Sequence, residues 1–420
     1  MKRVMKFGGA LMSNASGVER VGRLIEEYSC EPLVVVVSAL GKTTNALEQL
    51  HRLSQDGKNV EDDFFKIKQF HLALVNDLFI KVPDELSTQL DKIFDELWDA
   101  LNNSYINKYD SYDCIVSYGE ELSSCIIFHY LQVLGLETKL VNAKKLIVTD
   151  SNFTDASINW DYTLKTVTAR LLPVIENKKV VITQGFIGAD KYGKATTLGR
   201  EGSDFTAAII GNLLDFDEVT IWKNVPGLMS ADPKRFSNAV KLDSLSYHEA
   251  IELAYYGASV IHPKTIQPLK QKNIPLFVRS YSDTSILPTS ITDYTGNDKL
   301  QSSIIVKDKQ LLLSINTLDL SFIAEENLKQ IFDAFSRNKI HINLMQNSAV
   351  SFSVCFNDDK VKVAGLLNEL EGDFRLMYNT DMQLITIRYY NDKLIKELIG
   401  NRKVFLEQKS RATVQLLVKK

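Results

Sequence analysis

A chain of 420 residues that is 45% hydrophobic and 24% charged has the make-up of an ordinary globular protein with room for two or three domains. Its net charge of −3 gives no electrostatic footprint for nucleic acid or for an anionic membrane. Cys30, Cys114, Cys125 and Cys355 show neither a Cys-x-x-Cys spacing nor a neighbouring His pair, so they read as small buried hydrophobes in a reducing compartment, not as metal ligands. No apolar stretch reaches membrane-spanning length and the amino terminus runs straight into a strand, which makes the cytoplasm the expected location.

The first predicted strand carries Lys6-Phe7-Gly8-Gly9. The spacing of Val18, Val21, Leu24 and Ile25 predicts a helix, and Leu33–Val37 a strand buried on both faces. An acidic stretch with Leu86, Leu90, Ile93, Phe94, Leu97 and Leu101 on one face predicts a helical pair packed outside the sheet. Cys114-Ile115-Val116 reads as another short buried strand, with Ile127, Leu131 and Leu134 at helical spacing after it. Val180-Val181-Ile182, Val219–Trp222 and Leu276-Phe277-Val278 continue the series. Apolar runs alternating with helical patterns give an α/β fold, a three-layer αβα sandwich around a mostly parallel sheet.

Gly199-Arg200-Glu201-Gly202-Ser203-Asp204 leads into the apolar run Phe205–Ile210, which predicts a buried helix whose start suits an anion. From Ser280 to Ser303 the texture turns rich in Ser, Thr, Asp, Gly and Pro, and the domain boundary is expected near its end, giving domains at 1–298 and 299–420. Beyond it, strands at Leu311–Ile315, Ser351–Val354, Leu384–Ile387 and Val414–Val418 alternate with helical stripes at Leu328, Ile331, Phe332, Phe335 and at Leu394–Ile399. That alternation predicts tandem small α+β modules, the second of them short.

Two motifs carry chemistry. Lys6 sets a fixed cation beside Gly8 and Gly9, whose missing Cβ atoms let backbone amides approach phosphate oxygens. The 199–204 motif adds flexible backbone, a forked cation and a short acid. Each alone also fits a tight turn or a solvated arginine; the conjunction outlines a phosphate site that holds a small acid. Gly41-Lys42-Thr43 imitates the end of a P-loop, but the first glycine of that pattern would fall on Val36.

Lys6–Gly9, Val37-Ser38-Ala39 with Thr43-Thr44-Asn45, Ser117–Ser123, Thr183–Gly188, Thr196–Ala207, Trp222 with Val225-Pro226-Gly227, Ala231-Asp232-Pro233, and Gly257-Ala258 with His262-Pro263 follow one another in collinear order. In these motifs the first domain closely resembles the aspartokinases of the amino-acid kinase superfamily, and the C-terminal modules are similar to the ACT domains such enzymes carry. The resemblance implies transfer of the γ-phosphoryl group of MgATP to the side-chain carboxylate of L-aspartate, with ATP and Mg²⁺ as the cofactors. It implies catalytic roles for Lys6, on the transferring phosphoryl group, and for Asp204, orienting Lys6 or the nucleophile's surroundings. The substrate handles it implies are Arg200 for the α-carboxylate, Glu120 for the α-ammonium, Ser38 and Thr44 for hydroxyl hydrogen bonds, and Ser203 where a helix start meets phosphate or carboxylate. Glu120 or Glu121 as a helix cap after Gly119 is the plainer alternative, and His262 before Pro263 reads as a structural turn residue.

On the nucleotide side the resemblance implies contacts from Gly8, Gly9, Lys223, Asn224, Asp232, Arg235 and Ser259. Here the chain departs from the family: Lys223-Asn224 stands where Thr-Asp is common, Ser259 where a Lys is common, and Ala10-Leu11 where Thr-Ser usually follows the glycines. Lys223, Lys234 and Arg235 are available to replace the lost cation. The resemblance also implies an amino-acid effector at the ACT region and a homodimer. The family's effector acid is missing from Asn347-Ser348-Ala349-Val350, so lysine feedback is expected to be weak or to use Asp319 or Glu325. A superfamily kinase acting on another acid and a catalytically idle amino-acid sensor are the competing functions.

Overall fold

In Arg3–Phe7, Leu33–Val37 and Val180–Gln184 every residue is buried, as befits strands covered on both faces. The structure, a computed structural model, describes all residues except Lys178, Ser259, Val260, Leu300 and Leu320, so the expected contact at Ser259 lies outside the described residues. It divides into two compact units, the first comprising Met1–Leu228, Lys241–Ile251 and Ser259–Asp298, and the second Met229–Val240, Glu252–Ala258 and Lys299–Lys420.

The strands of the first unit are β1 (Arg3–Phe7), β2 (Leu33–Val37), β3 (Thr138–Leu140), β4 (Val148–Thr149), β5 (Val180–Gln184), β6 (Ile187–Asp190), β7 (Ala195–Thr197), β8 (Glu218–Lys223), β9 (Ser244–Ser246), β10 (Leu276–Ser280) and β11 (Thr289–Thr292). Its helices are α1 (Ala15–Tyr28), α2 (Thr43–Gln55), α3 (Glu61–Leu78), α4 (Asp84–Asn102), α5 (Lys108–Val133), α6 (Trp160–Glu176) and α7 (Gly202–Leu213); α8 (Tyr247–Tyr256) has residues in both units, and α9 (Pro263–Gln271) belongs to the first. An eight-stranded sheet runs β3-β5-β2-β1-β8-β10-β11-β9, and β3 through β10 pair in parallel. Only the β10–β11 pairing is antiparallel, which gives the mostly parallel sheet read from the sequence.

Two expectations are corrected. Cys114-Ile115-Val116 is not a strand but lies inside the 26-residue helix α5. That helix is buried on nearly every side, from Asp110 through Leu131, so the single apolar stripe that marks a surface helix is absent and its apolar run imitates a strand. The acidic excursion is also larger than a pair: α4 packs on α5, while α3 joins α1, α2 and α5.

The second unit holds β12 (Ser303–Thr317), β13 (Ile342–Asn347), β14 (Ser351–Asn357), β15 (Phe374–Arg388), β16 (Val404–Lys409) and β17 (Thr413–Lys419), with α10 (Glu325–Arg337), α11 (Lys360–Leu370) and α12 (Asp392–Ile399). Its two modules share one six-stranded sheet in the order β13-β14-β12-β15-β17-β16. The long strands β12 and β15 pair with each other from Ser303 opposite Arg388 to Thr317 opposite Phe374. Ile331, Phe335 and Leu366 cover one part of this sheet, and Ile395 with Ile385 and Leu416 another.

Candidate active site

Parallel α/β sheets place ligands at the carboxyl ends of their strands, and that edge is where the chain gathers its functional residues. Lys6 sits one residue before the end of β1, Ser38 just after β2, Gly185 just after β5, and Lys223 at the end of β8. The loops leaving these strands are stitched together: Ser38 N donates to Phe7 O (3.1 Å), Gly41 N to Gly9 O (2.9 Å) and Gly185 N to Val37 O (2.9 Å). Gly9 has a local reason, since a Cβ there would overlap the Ala39 carbonyl. Gly185 has another, because its Cβ would overlap Ser203 in the first turn of α7.

Asp204 is the centre of the site. It is buried in the first turn of α7, where a negative charge complements the helix dipole. Lys6 Nζ lies 2.6 Å from its Oδ1 and Lys223 Nζ 3.0 Å from its Oδ2. Burial alone would raise the carboxyl's pKa, but Lys6 and then Lys223 outweigh it and hold it below its ordinary value. The position a Cβ on Gly8 would take is 3.5 Å from Lys6 Nζ, so the ammonium group lies under the glycine pair.

Glu120 lies in the middle of α5 and therefore caps nothing, contrary to the plainer alternative for it and for Glu121. It is buried beside this cluster: burial pushes its carboxyl up to about 8, against the opposing pull of Lys6 and of a hydrogen bond from the Ala39 backbone. Its Oε2 has no hydrogen-bond partner among the described residues. Thr44 is half-buried in the first turn of α2, and Ser203 is buried against Gly185. Arg200 is exposed and makes no ion pair among the described residues, which leaves its guanidinium available to a carboxylate.

Asn224 is exposed just past β8. Asp232 and Arg235 belong to the second unit, where Arg235 pairs with Asp308 and, at 3.8 Å, with Asp232. His262 is a helix cap, its Nδ1 accepting from Lys264 N at 3.2 Å, as a turn residue would. Sequence reading missed Asp113. This buried carboxylate of α5 accepts from Thr154 N (2.9 Å), Thr197 N (2.8 Å) and Thr197 Oγ1 (2.7 Å), and so anchors the strand that leads into residues 199–204. An Asp four residues before the start of the Ser117–Ser123 motif was the only signal. Glu201, at the N-cap of α7 with a left-handed φ of 55°, was passed over as well; burial raises its pKa.

Among the described residues no three His, Cys, Asp or Glu side chains group as a metal site, and no helix is long and apolar enough to cross a membrane. The amino acid kinase family's sequence profile matches residues 1–280, and the chain belongs to that family. The relatives it matches include aspartokinases. Aspartokinase 1, chloroplastic, of Arabidopsis thaliana is 31% identical over 410 residues, spanning 95% of this chain and 70% of its own. Lysine-sensitive aspartokinase 3 of Escherichia coli (strain K12) is 28% identical over 396 residues, 91% of this chain and 86% of its own. The crystal structure of E. coli aspartokinase III with aspartate and ADP superposes with a TM-score of 0.83 at 24% identity, covering 100% of this chain and 96% of that one, so the two share a fold.

Proposed function

We propose that this chain is an ATP-dependent aspartate kinase whose chemistry is carried by the lysine–aspartate cluster at the carboxyl ends of β1 and β8. The carrying observation is the ion pair of Lys6 with the buried Asp204. The acceptor, the side-chain carboxylate of aspartate, has a reference pKa of about 4 and is ionised at neutral pH, so the reaction needs no general base. What remains is positioning and neutralisation of charge on the transferring phosphoryl group. Lys6 supplies the cation, and Asp204 fixes where it points. Arg200 grips the α-carboxylate and Glu120 the α-ammonium, with Ser38, Thr44 and Ser203 as hydroxyl partners. Gly8, Gly9 and Lys223 face the nucleotide's phosphates, with Asn224 beside them. Magnesium enters as part of the nucleotide substrate and neutralises its phosphate oxygens.

An ATP-dependent hydroxamate assay with aspartate, with glutamate and with no acceptor tests the reading. Aspartate-dependent turnover is expected, and Lys6→Ala should lower kcat on the order of a hundredfold or more. Turnover that ignores aspartate, or that Lys6→Ala leaves unchanged, would overturn it.

The second unit is assigned the regulatory role. The E. coli relative is lysine-sensitive, and Asp319 and Glu325 are the acids assigned here to an effector ammonium. Asp319 Oδ1 accepts from Ser321 N at 3.0 Å, and hydrogen bonding from the Ser321 side chain first and its backbone second holds the carboxyl below its ordinary value. Any lysine inhibition should vanish in Asp319→Asn or Glu325→Gln and survive changes at Asn347 and Ser348. The chain is assigned to work as a homodimer, which light scattering of the full chain checks.

A further inference from the structure

Lys6 and Asp204 alone are a complete buried pair, one positive charge against one negative. The same carboxylate nevertheless carries a second ammonium group: Lys223 Nζ is 3.0 Å from Oδ2 while Lys6 Nζ is 2.6 Å from Oδ1. The side chains of Lys6 and Asp204 are 9% and 1% exposed and that of Lys223 only 24%, so solvent screens this trio poorly. Two cations on one anion leave a positive charge uncompensated, an arrangement that costs free energy unless an anion arrives. Neither neighbouring acid pairs with these lysines among the described residues. Glu120, pushed up to about 8 by burial, is largely neutral at pH 7, and Glu201, raised by burial and drawn down by Lys223, makes no ion pair with either ammonium group. Lys223 ends β8, whose register puts Trp222 opposite Phe7, so its ammonium enters the site from the strand next to that of Lys6.

We propose that Lys223 is a second catalytic cation, which takes up negative charge on the phosphoryl group in transit, and that Asp204 is the positioning residue holding the two ammonium groups apart by one carboxylate. The inference rests on the aspartate kinase reading and sharpens the role of Lys223 from holding the nucleotide to stabilising the transition state. In the step, a carboxylate oxygen of aspartate forms a bond to the γ-phosphorus. The bond from that phosphorus to the β,γ-bridging oxygen breaks, its electron pair stays on the departing ADP, and no proton moves. Lys6 and Lys223 serve the equatorial and leaving oxygens, whose combined charge one ammonium group cannot match.

The test uses the full chain and begins with wild-type aspartate-dependent turnover; its absence would defeat the kinase reading and not this inference. Lys223→Met and Lys223→Gln are then compared with wild type for kcat, for KM of ATP and aspartate, and for ADP affinity by calorimetry, with melting curves to establish folding. Both variants should lose about a hundredfold in kcat while KM for ATP and the ADP dissociation constant move less than about threefold. Lys223→Arg should recover a large part of the loss. Lys223→Gln keeps a hydrogen bond to Asp204 without the charge. If it retains wild-type kcat, Lys223 only positions Asp204 and the proposal fails. It fails equally if the variants raise KM for ATP and weaken ADP at unchanged kcat, since the lysine would then serve ground-state nucleotide binding.

Discussion

The rings of Phe7 and Trp222 stack with centroids 5.9 Å apart and planes within 8°. They are register partners on β1 and β8, and each is followed or preceded by a residue of the cluster: Lys6 and Gly8 flank Phe7, and Lys223 follows Trp222. The stack therefore ties the two strands together at the level where their lysines meet Asp204. Trp222→Ala should cost about 3–5 kcal/mol of stability, as large aromatic truncations in cores do, read from urea unfolding. At temperatures where the variant is still folded, kcat should fall with it; an unchanged kcat would mean the stack does not position the lysines.

The pH behaviour of Glu120 follows from its burial. Its folded pKa, about 8, lies above the reference value of 4.5, so the native state holds the proton more tightly than the unfolded chain does. Its contribution to stability is complete below about 4.5 and is lost as pH rises towards about 8, a loss on the order of a few kcal/mol. The free enzyme should weaken across that interval, and Glu120→Gln should flatten the slope. Binding of aspartate places an ammonium group against the carboxyl and should release up to one proton at pH 7. Calorimetric heats that do not vary with the ionisation enthalpy of the buffer would contradict this.

Gly9→Ala is expected to be far more damaging than its single methyl suggests. The added carbon would overlap the backbone carbonyl of Ala39, which cannot rotate away as a side chain could. The loops after β1 and β2 would have to separate, with the Gly41 N to Gly9 O bond as the first casualty. A lowered melting temperature together with a loss of turnover is expected, and near-normal values for both would show that the loops yield.

Asp113 tests whether the 199–204 loop is held from behind. Asp113→Ala strips acceptors from the amides of Thr154 and Thr197 and from the Thr197 hydroxyl, and unsatisfied buried donors cost about 1–3 kcal/mol each. KM for aspartate should rise because Arg200 and Ser203 follow directly from that strand. A stability loss with KM for aspartate unmoved would limit Asp113 to a structural role.

Sequence reading reached the fold wherever burial left a pattern. Runs such as Leu33–Val37 are buried on both faces and say so in their composition, and α1 and α4 show their apolar stripes. It failed on α5, because a helix enclosed by protein needs no polar face. Lys6 and Asp204 were legible from their glycine-bearing motifs, and Lys223 only through the family resemblance. Their convergence on one carboxylate was not, because Lys6 and Lys223 lie far apart in the chain and meet only through the β1–β8 ladder. Asp113 was invisible for a related reason: its partners are backbone amides, which leave no trace in composition.

Long strands also decide how the carboxyl-terminal half of the molecule can fail. Because β12 and β15 each run through both modules and pair on either side of the register shifts between Lys307 and Leu312, the modules share one sheet and should melt in one transition. A chain cut after Arg388 would strip β17 from β15 along Met382–Arg388 and bare Ile385 and Ile387 beside an unpaired edge. Such an edge is a template for self-association, so truncated forms should precipitate instead of surviving as a smaller regulatory piece.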